Sequence, residues 1–351
     1  TAWYMRPAYV DRATYAGMPT MPLTAVNVTT GSYVASPLDW AAPGALRLDG
    51  ATQYAWSPGS GPNGMTLDIG TNNFVLEVIF RAVAGHTGGV LVAKSADAGY
   101  TLALDAEGYL RWSIKNGGAE VYHVTSGMQV NDGAWHHLLL EYRRGMPNLC
   151  NVYLDGVYAN GASAGSPPGE GVFIASSAPF YAGRDSAGSY FHGDLDFVRV
   201  ARGSLAEAYT TYQELYDWQF GGPQYFDFRG VPPDGRRDSG ALECSYAGEF
   251  LPVVVMQPTN VVVESGAAGG IRIPPGNGLF FAWQRDGVPL AGETNPAVRF
   301  APAAGNHEGV YTLMVSNMAG AVTSAPITVS VIPEPGAVMM AVLAVLGVRR
   351  R

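Results

Sequence analysis

Apolar and polar residues alternate along much of the chain with the period of a β-strand. In "GYLRWSIK", residues 108–115, Leu110, Trp112 and Ile114 are separated by charged or hydroxyl-bearing residues. Because successive side chains of a strand point to opposite faces, this pattern predicts a strand with one buried and one wet face. Runs of similar character recur at short spacing, separated by turn residues: "ALRLDG", "NNFVLEVIFRA", "GGVLVAKS", "AWHHLLLEYRR", "CNVYLDGVYANG" and "GDLDFVRVA". The repetition predicts an antiparallel β-sandwich.

Two later segments break this pattern. In "RGSLAEAYTTYQELYDWQF", apolar residues from Leu205 to Tyr216 repeat at helical spacing, and Ser204 is a candidate N-cap. We therefore expect one helix packed beneath the sandwich. The stretch 221–249 has little periodicity and many turn residues, which indicates a connector. From Leu251 a new series of strand-like runs begins. The predicted organisation is a first domain over 1–217, a linker over 218–250, a second domain over 251–331 and a tail over 332–351.

Composition supports an all-β chain and excludes one class of partner. Charged residues make up 14% of the chain, below the roughly 25% of average globular proteins, and 45 Gly and 24 Pro supply many short turns. A net charge of -8 argues against a nucleic-acid partner, because such surfaces concentrate Lys and Arg. The two cysteines, Cys150 and Cys244, leave open one disulfide or two separate thiols.

Five sequence motifs carry a family resemblance over nearly all of residues 1–217. They are "ALRLDGATQYAWSP", "FVLEVIFRA", "AWHHLLLEY", "VYLDGVYANG" and "FHGDLDFVRVARGSLAEA". In this order they resemble the laminin G-like, concanavalin A-like jelly roll. The resemblance implies two stacked antiparallel sheets and a module that binds glycans or proteins.

Aromatic residues and two carboxylates are the candidate ligand-binding groups. Aromatic rings could stack on the apolar faces of sugar rings, although burial in the core is the alternative for each of them. The candidates are Tyr54, Trp56, Tyr181, Tyr190 and Phe191. The resemblance also implies a structural calcium near the sheet rim in many members. Asp196 matches the acidic position of the family, and Asp49 could approach it from an early strand. Calcium requires six to eight oxygen ligands, and two solvated strand-end carboxylates are the alternative.

The candidate catalytic groups favour binding over hydrolysis. Laminarinase-type glycoside hydrolases, which share the jelly roll, place three acidic residues on one strand, whereas "GDLDFV" offers only Asp194 and Asp196. His136 and His137 are adjacent in a predicted strand, so they point to opposite faces and cannot jointly chelate one ion. We therefore predict no catalytic residue and no enzymatic activity in these residues.

The second domain resembles an immunoglobulin-like sandwich across about eighty residues. Trp283 followed by "RDGVPL" resembles the buried strand tryptophan and its turn, and Tyr311 resembles the tyrosine corner. Apolar residues stand where the family has its two cysteines, namely Ile271 or Ile273 and Leu313. The resemblance implies a spacer or adhesion module.

The last twenty residues are "IPEPGAVMMAVLAVLGVRRR". Residues 336–348 are thirteen uncharged residues, about 20 Å long as a helix, against a hydrocarbon core of about 30 Å. A Pro-Glu-Pro tripeptide, a short apolar helix and a terminal arginine cluster together resemble the PEP-CTERM sorting signal of Gram-negative bacteria. The residues are Pro333, Glu334, Pro335, Arg349, Arg350 and Arg351. The resemblance implies export, transient anchorage in the inner membrane through the helix, and cleavage by an exosortase-type enzyme.

These observations predict an exported bacterial cell-surface or extracellular-matrix protein. Its laminin G-like module is expected to bind polysaccharide or a surface protein, with calcium as the one candidate cofactor. Two alternatives stay open. One is the accessory region of a carbohydrate-active enzyme whose catalytic domain precedes Thr1, and the other is a purely structural matrix protein.

Overall fold

Strands dominate the computed structural model of the chain, and the one α-helix within its described part is short. The predicted all-β class is therefore confirmed for that part. The structure describes residues 2–4, 22–37, 44–60, 66–145, 150–221, 251–252, 254, 257–275, 278, 280–317 and 319–333.

The first sheet holds eight strands, with the longest at its centre. In spatial order these are β13 (Val157–Tyr158), β12 (Cys150–Leu154), β11 (His136–Tyr142), β6 (Phe74–Ala82), β16 (His192–Arg202), β4 (Ala45–Asp49) and β3 (Tyr33–Val34), and β1 (Ala2–Tyr4) also pairs with β16. All these pairs are antiparallel.

The second sheet packs against the inner face of the first. In spatial order its strands are β2 (Thr24–Val26), β5 (Tyr54–Ser57), β15 (Phe180–Ala182), β7 (Val90–Ser95), β8 (Gly99–Leu104), β9 (Tyr109–Asn116) and β10 (Ala119–Gln129), and β14 (Asn160–Gly165) also pairs with β10. As predicted, Leu110, Trp112 and Ile114 on β9 are buried while the residues between them are more exposed. The core between the sheets includes Phe74, Phe80, Tyr100, Trp112 and Tyr142.

The helix begins later than the sequence pattern predicted. Helix α1 covers Tyr212–Gly221. Residues 205–209 form turns instead, because Tyr209 has a φ of 52°, a left-handed conformation that cannot continue a helix. Ser204 and Glu207 cap this turn reciprocally, while Thr211 and Glu214 do the same for α1. The helix packs on the outer face of the first sheet, as expected, and extends past the predicted boundary at residue 217.

A second, smaller unit follows the first. Its sheet contains, in spatial order, β17 (Asn260–Glu264), β24 (Ile327–Ile332), β22 (Gly309–Asn317), β19 (Phe280–Arg285) and β20 (Val288–Pro289), with β23 (Gly320–Thr323) also on β22. Strands β18 (Gly269–Arg272) and β21 (Ala297–Phe300) form a separate pair. Trp283, Tyr311 and Leu313 are buried in this unit.

The two units meet where β10 of the second sheet lies beside β17 and β13 of the first sheet lies beside β18. Strand β10 pairs with β17 at Met128 and Val263. The Arg272 Nε of β18 donates to Asp217 Oδ1 of helix α1 at 3.0 Å. The helix therefore contacts both the first sheet and the second unit.

No helix within the described ranges is long and apolar enough to cross a membrane. Of the residues predicted to form the sorting signal, Pro333 is described and is exposed. The predicted short helix over 336–348 lies outside the described residues, as do Glu334, Pro335, Arg349, Arg350 and Arg351.

Candidate functional site

One row of side chains crosses the outer face of the second sheet from edge to edge. Eight residues on eight strands face one another in register: Thr24, Trp56, Tyr181, Ala93, Thr101, Ser113, His123 and Ala164. We call this set the outer row. Strands lie about 4.8 Å apart, so seven steps span about 34 Å. The side chains in the middle, at Ala93, Thr101 and Ser113, are small, whereas those of Tyr181 and His123 on either side are larger.

Three tyrosines gather around one guanidinium beside the aromatic end of the outer row. The Cζ atom of Arg184 lies 4.6, 5.1 and 5.2 Å from the ring centroids of Tyr54, Tyr181 and Tyr190. Arg184 Nη1 also donates to the Tyr190 hydroxyl at 2.9 Å, and Nε donates to the Asp185 carbonyl at 2.7 Å. These cation–π contacts and hydrogen bonds hold the three rings in place, so we call this group the tyrosine cluster.

The structure brings together four of the five predicted aromatic residues. Tyr54, Trp56, Tyr181 and Tyr190 are half-buried and lie on the outer face. For Phe191 the prediction is wrong. Its side chain is fully buried and its ring meets that of Phe80 at 6.4 Å between centroids, inside the core.

The other end of the outer row is polar. Arg111 Nη1 donates to Glu120 Oε2 at 2.9 Å, and His123 Nδ1 lies 3.0 Å from Glu120 Oε1. The hydrogen bond from Arg111 is the main cause that lowers the pKa of Glu120. This triad offers both hydrogen-bond donors and acceptors to a ligand. The sequence pattern does not reveal this triad, because the contact depends on how β9 and β10 pair after the Gly117-Gly118 turn.

The structure does not bring the two predicted calcium ligands together. Asp49 pairs with His192 across the strands, and Asp196 lies four residues further along β16, about 13 Å away. Calcium–oxygen distances are about 2.3–2.6 Å, so one ion cannot contact both side chains. Within the described ranges, no group of three or more His, Cys, Asp or Glu residues is arranged to hold a metal ion.

Asp49 has a local role instead. Its Oδ1 accepts the backbone N–H groups of Ala51, Thr52 and Gln53 at 2.9, 2.8 and 3.0 Å. Partial burial acts to raise the pKa of Asp49, but these hydrogen bonds outweigh it and hold the pKa far below its usual range. The carboxylate therefore closes the turn after β4.

Asp194 and Asp196 lie in different environments. Asp194 forms ion pairs with Arg47, at 2.9 Å, and with Arg81. Asp196 sits at a bulge in β16, is fully buried and accepts the Ser36 hydroxyl at 3.0 Å. Burial raises the pKa of Asp196 to about 7, against the opposing effect of that hydrogen bond. One carboxyl is thus engaged by two arginines, and the other is enclosed with no exposed surface.

At the sequence Trp135-His136-His137, the buried carboxylate of Asp155 contacts both histidines. His136 Nδ1 lies 2.8 Å from Asp155 Oδ2, and Nε2 lies 3.1 Å from Asp132 Oδ1. The backbone N–H of His137 donates to Asp155 Oδ1 at 2.8 Å. Burial acts to lower the pKa of His136, but the two carboxylates raise it to about 10. The motif therefore fixes β11 to the β12–β13 hairpin.

His137 points to the opposite face, as the strand pattern predicted. Its Nε2 lies 2.9 Å from Glu77 Oε1, which also accepts Gln219 Nε2 from helix α1 at 2.9 Å. Arg199 Nη1 lies 3.1 Å from Glu77 Oε2. Burial acts to raise the pKa of Glu77, but Arg199 and His137 outweigh it and the pKa is lowered. This network anchors the helix to the first sheet.

Comparisons with solved structures give weak likenesses. A native heptameric SAP-like pentraxin from Limulus polyphemus is 11% identical over 44% of this chain and 73% of its own, with a TM-score of 0.32. A botulinum neurotoxin type C structure, whose cell entry depends on interaction with two ganglioside molecules, is 9% identical over 93% of this chain and 86% of its own, with a TM-score of 0.41. Tandem Ig repeats of Dlar are 13% identical over 74% of this chain and 98% of their own, with a TM-score of 0.21. Scores this low carry no argument about function.

The search of curated proteins found no match for the chain. The scan against protein families gives a positive result for the first unit. Residues 50–208 match a laminin G family model described as the concanavalin A-like lectin/glucanases superfamily. This part of the chain is therefore similar to the laminin G-like, concanavalin A-like jelly-roll family.

Proposed function

We propose that this chain is an exported bacterial surface or matrix protein whose jelly-roll domain binds a polysaccharide along the outer row. The observation that carries the proposal is the outer row itself, with Trp56 and the tyrosine cluster at one end and a polar triad at the other. The aromatic rings offer flat apolar faces to sugar rings, and the triad offers hydrogen bonds to hydroxyl groups. The length of the row, about 34 Å, suits an extended polymer better than a single sugar.

The shape of the outer row favours a polysaccharide over a protein partner. Ala93 is buried between its neighbours, and Thr101 and Ser113 are half-buried, so the centre of the row presents only small, partly covered side chains. A stable protein interface buries about 800 Å² on each partner around a central anchor residue. A row of side chains with its aromatic residues at one end lacks such a centre.

The second unit is proposed to be an immunoglobulin-like spacer. Trp283 is buried and its Nε1 donates to the Asn295 carbonyl at 2.8 Å. The Tyr311 hydroxyl donates to the His307 carbonyl four residues upstream at 2.8 Å, which is the contact of a tyrosine corner. Leu313, where the family has a cysteine, pairs with Trp283 across the strands.

Export is proposed from the order of the elements in the tail, Pro333-Glu334-Pro335, a short apolar stretch and Arg349–Arg351. In a host that carries an exosortase-type enzyme, the chain should move from the membrane fraction to the envelope or medium. Replacing Pro333 and Pro335 by alanine should leave it in the membrane fraction. Equal release of both forms would contradict this part of the proposal.

Affinity electrophoresis and calorimetry of the full chain test polysaccharide binding. The probes are a mixed-linkage β-glucan, a dextran and a galactomannan as neutral polymers, with an alginate as an acidic one. Tyr181→Ala and Trp56→Ala should each weaken binding at least about tenfold, which corresponds to about 1.4 kcal/mol. Phe280→Ala is the matched control, because Phe280 is an exposed aromatic residue of the second unit, 63% accessible, and should have no effect. Unchanged binding by Tyr181→Ala, or binding of a surface protein but no polymer, would overturn the proposal.

A further inference from the structure

A second, separate basin opens at one end of the first sheet. It has a volume of about 800 Å³ and lies where β6 begins and where β11 and β16 end. The residues that decide its chemistry are Asn72, Asn73, Arg144, Glu170, Arg202 and Glu207. The outer row lies on the other sheet and shares no residue with this basin.

One arginine fixes the shape of this basin. The guanidinium of Arg144 donates to the carbonyls of Gly70 and Asn72 in one wall, at 2.9 and 3.2 Å. It also donates to the carbonyls of Gly169 and Val172 in the other wall, at 2.8 and 2.7 Å. The two walls are therefore held at a fixed separation before any ligand arrives, which lowers the entropic cost of binding.

The polar groups that remain are suited to an uncharged ligand. Asn73 Nδ2 and the Ser204 hydroxyl both donate to Glu207 Oε2, at 3.2 and 3.0 Å, and Arg202 Nε donates to the Asp68 carbonyl at 3.1 Å. Among the described residues, Glu207 Oε1 and the two terminal nitrogens of Arg202 have no hydrogen-bond partner. The basin thus offers an acceptor beside donors. Two arginines and two glutamates line it, so their formal charges cancel.

Exposed apolar side chains concentrate at the rim of this basin. In the first unit the described residues with exposed large apolar side chains are Val83, Val172, Phe173 and Tyr209, and the last three adjoin segments that line the basin. Phe173 is 67% exposed. A Cβ atom added at Gly70 would lie 3.7 Å from Phe173 Cε2 and 3.8 Å from Arg202 Nη2, so ring and guanidinium flank the same point. Tyr209, 96% exposed, holds an unfavourable positive φ of 52° two residues after Glu207.

We propose that this basin is a second binding site, which takes a neutral saccharide against Phe173. An exposed ring beside paired donors and acceptors with no net charge fits a sugar, whose faces are apolar and whose edges carry hydroxyl groups. The inference rests on the proposed function only for the class of ligand. Two sites on one domain bind two chain segments at once, so the protein cross-links a polysaccharide instead of merely coating it.

Calorimetry of the full chain with neutral hexasaccharides of β-1,4-glucose, α-1,4-glucose and β-1,4-mannose tests this proposal, with hexagalacturonate as the acidic probe. For the hexasaccharide that binds, wild-type protein should give two sites per chain. Phe173→Ala should leave one, Tyr181→Ala should leave the other, and the double variant should leave none. Phe173→Tyr, which keeps the ring, should retain both. Val83→Ala, an exposed residue away from the basin, is the control.

The outcomes separate this inference from the proposed function. Loss of one site in Phe173→Ala with no effect of Tyr181→Ala supports the basin and contradicts the outer row. The reverse result overturns the basin, as does displacement of the neutral probe by hexagalacturonate. Binding of no hexasaccharide overturns both. As a second measurement, the viscosity of a galactomannan solution should rise with wild-type protein and not with either single variant.

Discussion

Asp155 and Gly156 form the tight turn between β12 and β13 and also serve two other contacts. Both residues have positive φ values, 50° and 74°, as a two-residue hairpin turn requires. The Asp155 carboxylate binds His136 and the backbone of His137. A Cβ atom at position 156 would lie 2.4 Å from Arg272 Cδ, so only glycine lets the second unit approach. One dipeptide thus serves the turn, the histidine motif and the contact between the units.

Asp155→Asn should lower the free energy of unfolding by about 2–4 kcal/mol at pH 7. Asparagine tolerates the positive φ, but its amide removes the charge that faces the His136 imidazolium. Chemical denaturation of the full chain measures the loss. Asp97→Asn, at an exposed position with no side-chain contact to replace, should change the value by less than about 0.5 kcal/mol. A loss of stability no larger than that of the control would mean that charge does not stabilise the contact between Asp155 and His136.

The charge on His136 also predicts how stability depends on pH. Its pKa is raised to about 10 in the folded chain by Asp155 and Asp132, against about 6.5 for an unfolded histidine. The stabilisation is complete below about pH 6.5 and is lost as the pH rises through 10, by up to about 1.4 kcal/mol per pH unit. The free energy of unfolding, measured between pH 7 and 10, should therefore fall as the pH rises in wild-type protein. It should fall less steeply in His136→Gln. Parallel slopes would contradict the assignment.

At the scale of elements, helix α1 covers the outer face of the first sheet around a buried carboxylate. Tyr216 and Phe220 pack on Ile79 and Phe197, and His137 meets the Tyr216 ring at 5.5 Å between centroids. Glu77 lies beneath, with no exposed surface, and is linked to the helix by Gln219. Helix α1 is therefore held on the first sheet both by apolar packing and by a hydrogen bond to the ionic network around Glu77.

Tyr216→Ala should cost about 3–5 kcal/mol of stability, because the ring is 1% exposed and its removal leaves a cavity. Urea unfolding followed by tryptophan fluorescence gives the value. Gln213→Ala, on the half-exposed side of the same helix, is the control for helix propensity. It should change the free energy of unfolding by less than about 0.5 kcal/mol. Equal effects of the two variants would show that the helix is not an integral part of the domain.

Local patterns predicted strands well and non-local contacts poorly. The alternation around Trp112 and the opposite orientation of His136 and His137 follow from the period of the strand, so the sequence predicted them correctly. The predicted start of the helix was wrong because the apolar spacing continues across Tyr209. The left-handed backbone conformation of this residue, which ends the helical pattern, leaves no mark in that spacing. Phe191 was wrong because a bulky residue next to a turn can face either way. The tyrosine cluster was found residue by residue, but its centre, Arg184, was not, because strands β5 and β15 are far apart in sequence. The basin near Phe173 was missed for the same reason.

At the scale of the whole molecule, the two units are joined by a charged contact and by a single strand pairing. Arg272 and Asp217 are largely buried where helix α1 meets β18. Met128 and Val263 pair close to it and belong to one continuous set of buried side chains. The orientation of the second unit relative to the jelly roll is thereby fixed.

A double-mutant cycle with Arg272→Ala and Asp217→Ala should give a coupling energy of about 1–3 kcal/mol. The reason is that removal of either partner alone leaves the other charge partly buried and unpaired. Thermal unfolding of the full chain provides the measurement, and Arg299→Ala, exposed on the neighbouring strand, is the control. Additive effects would show that the charges of Arg272 and Asp217 do not stabilise each other.

The parallel pairing of β17 with β24 has a consequence for a protein pulled from both ends. Five residue pairs join the strands, from Asn260 with Thr328 to Glu264 with Ile332. The chain enters this pair at Asn260 and leaves it at Ile332, which lie at opposite ends of the ladder. A force applied between the chain before Asn260 and the chain after Ile332 therefore loads all the hydrogen bonds of this pair together in shear, whereas an antiparallel pair connected in this way would unzip one bond at a time.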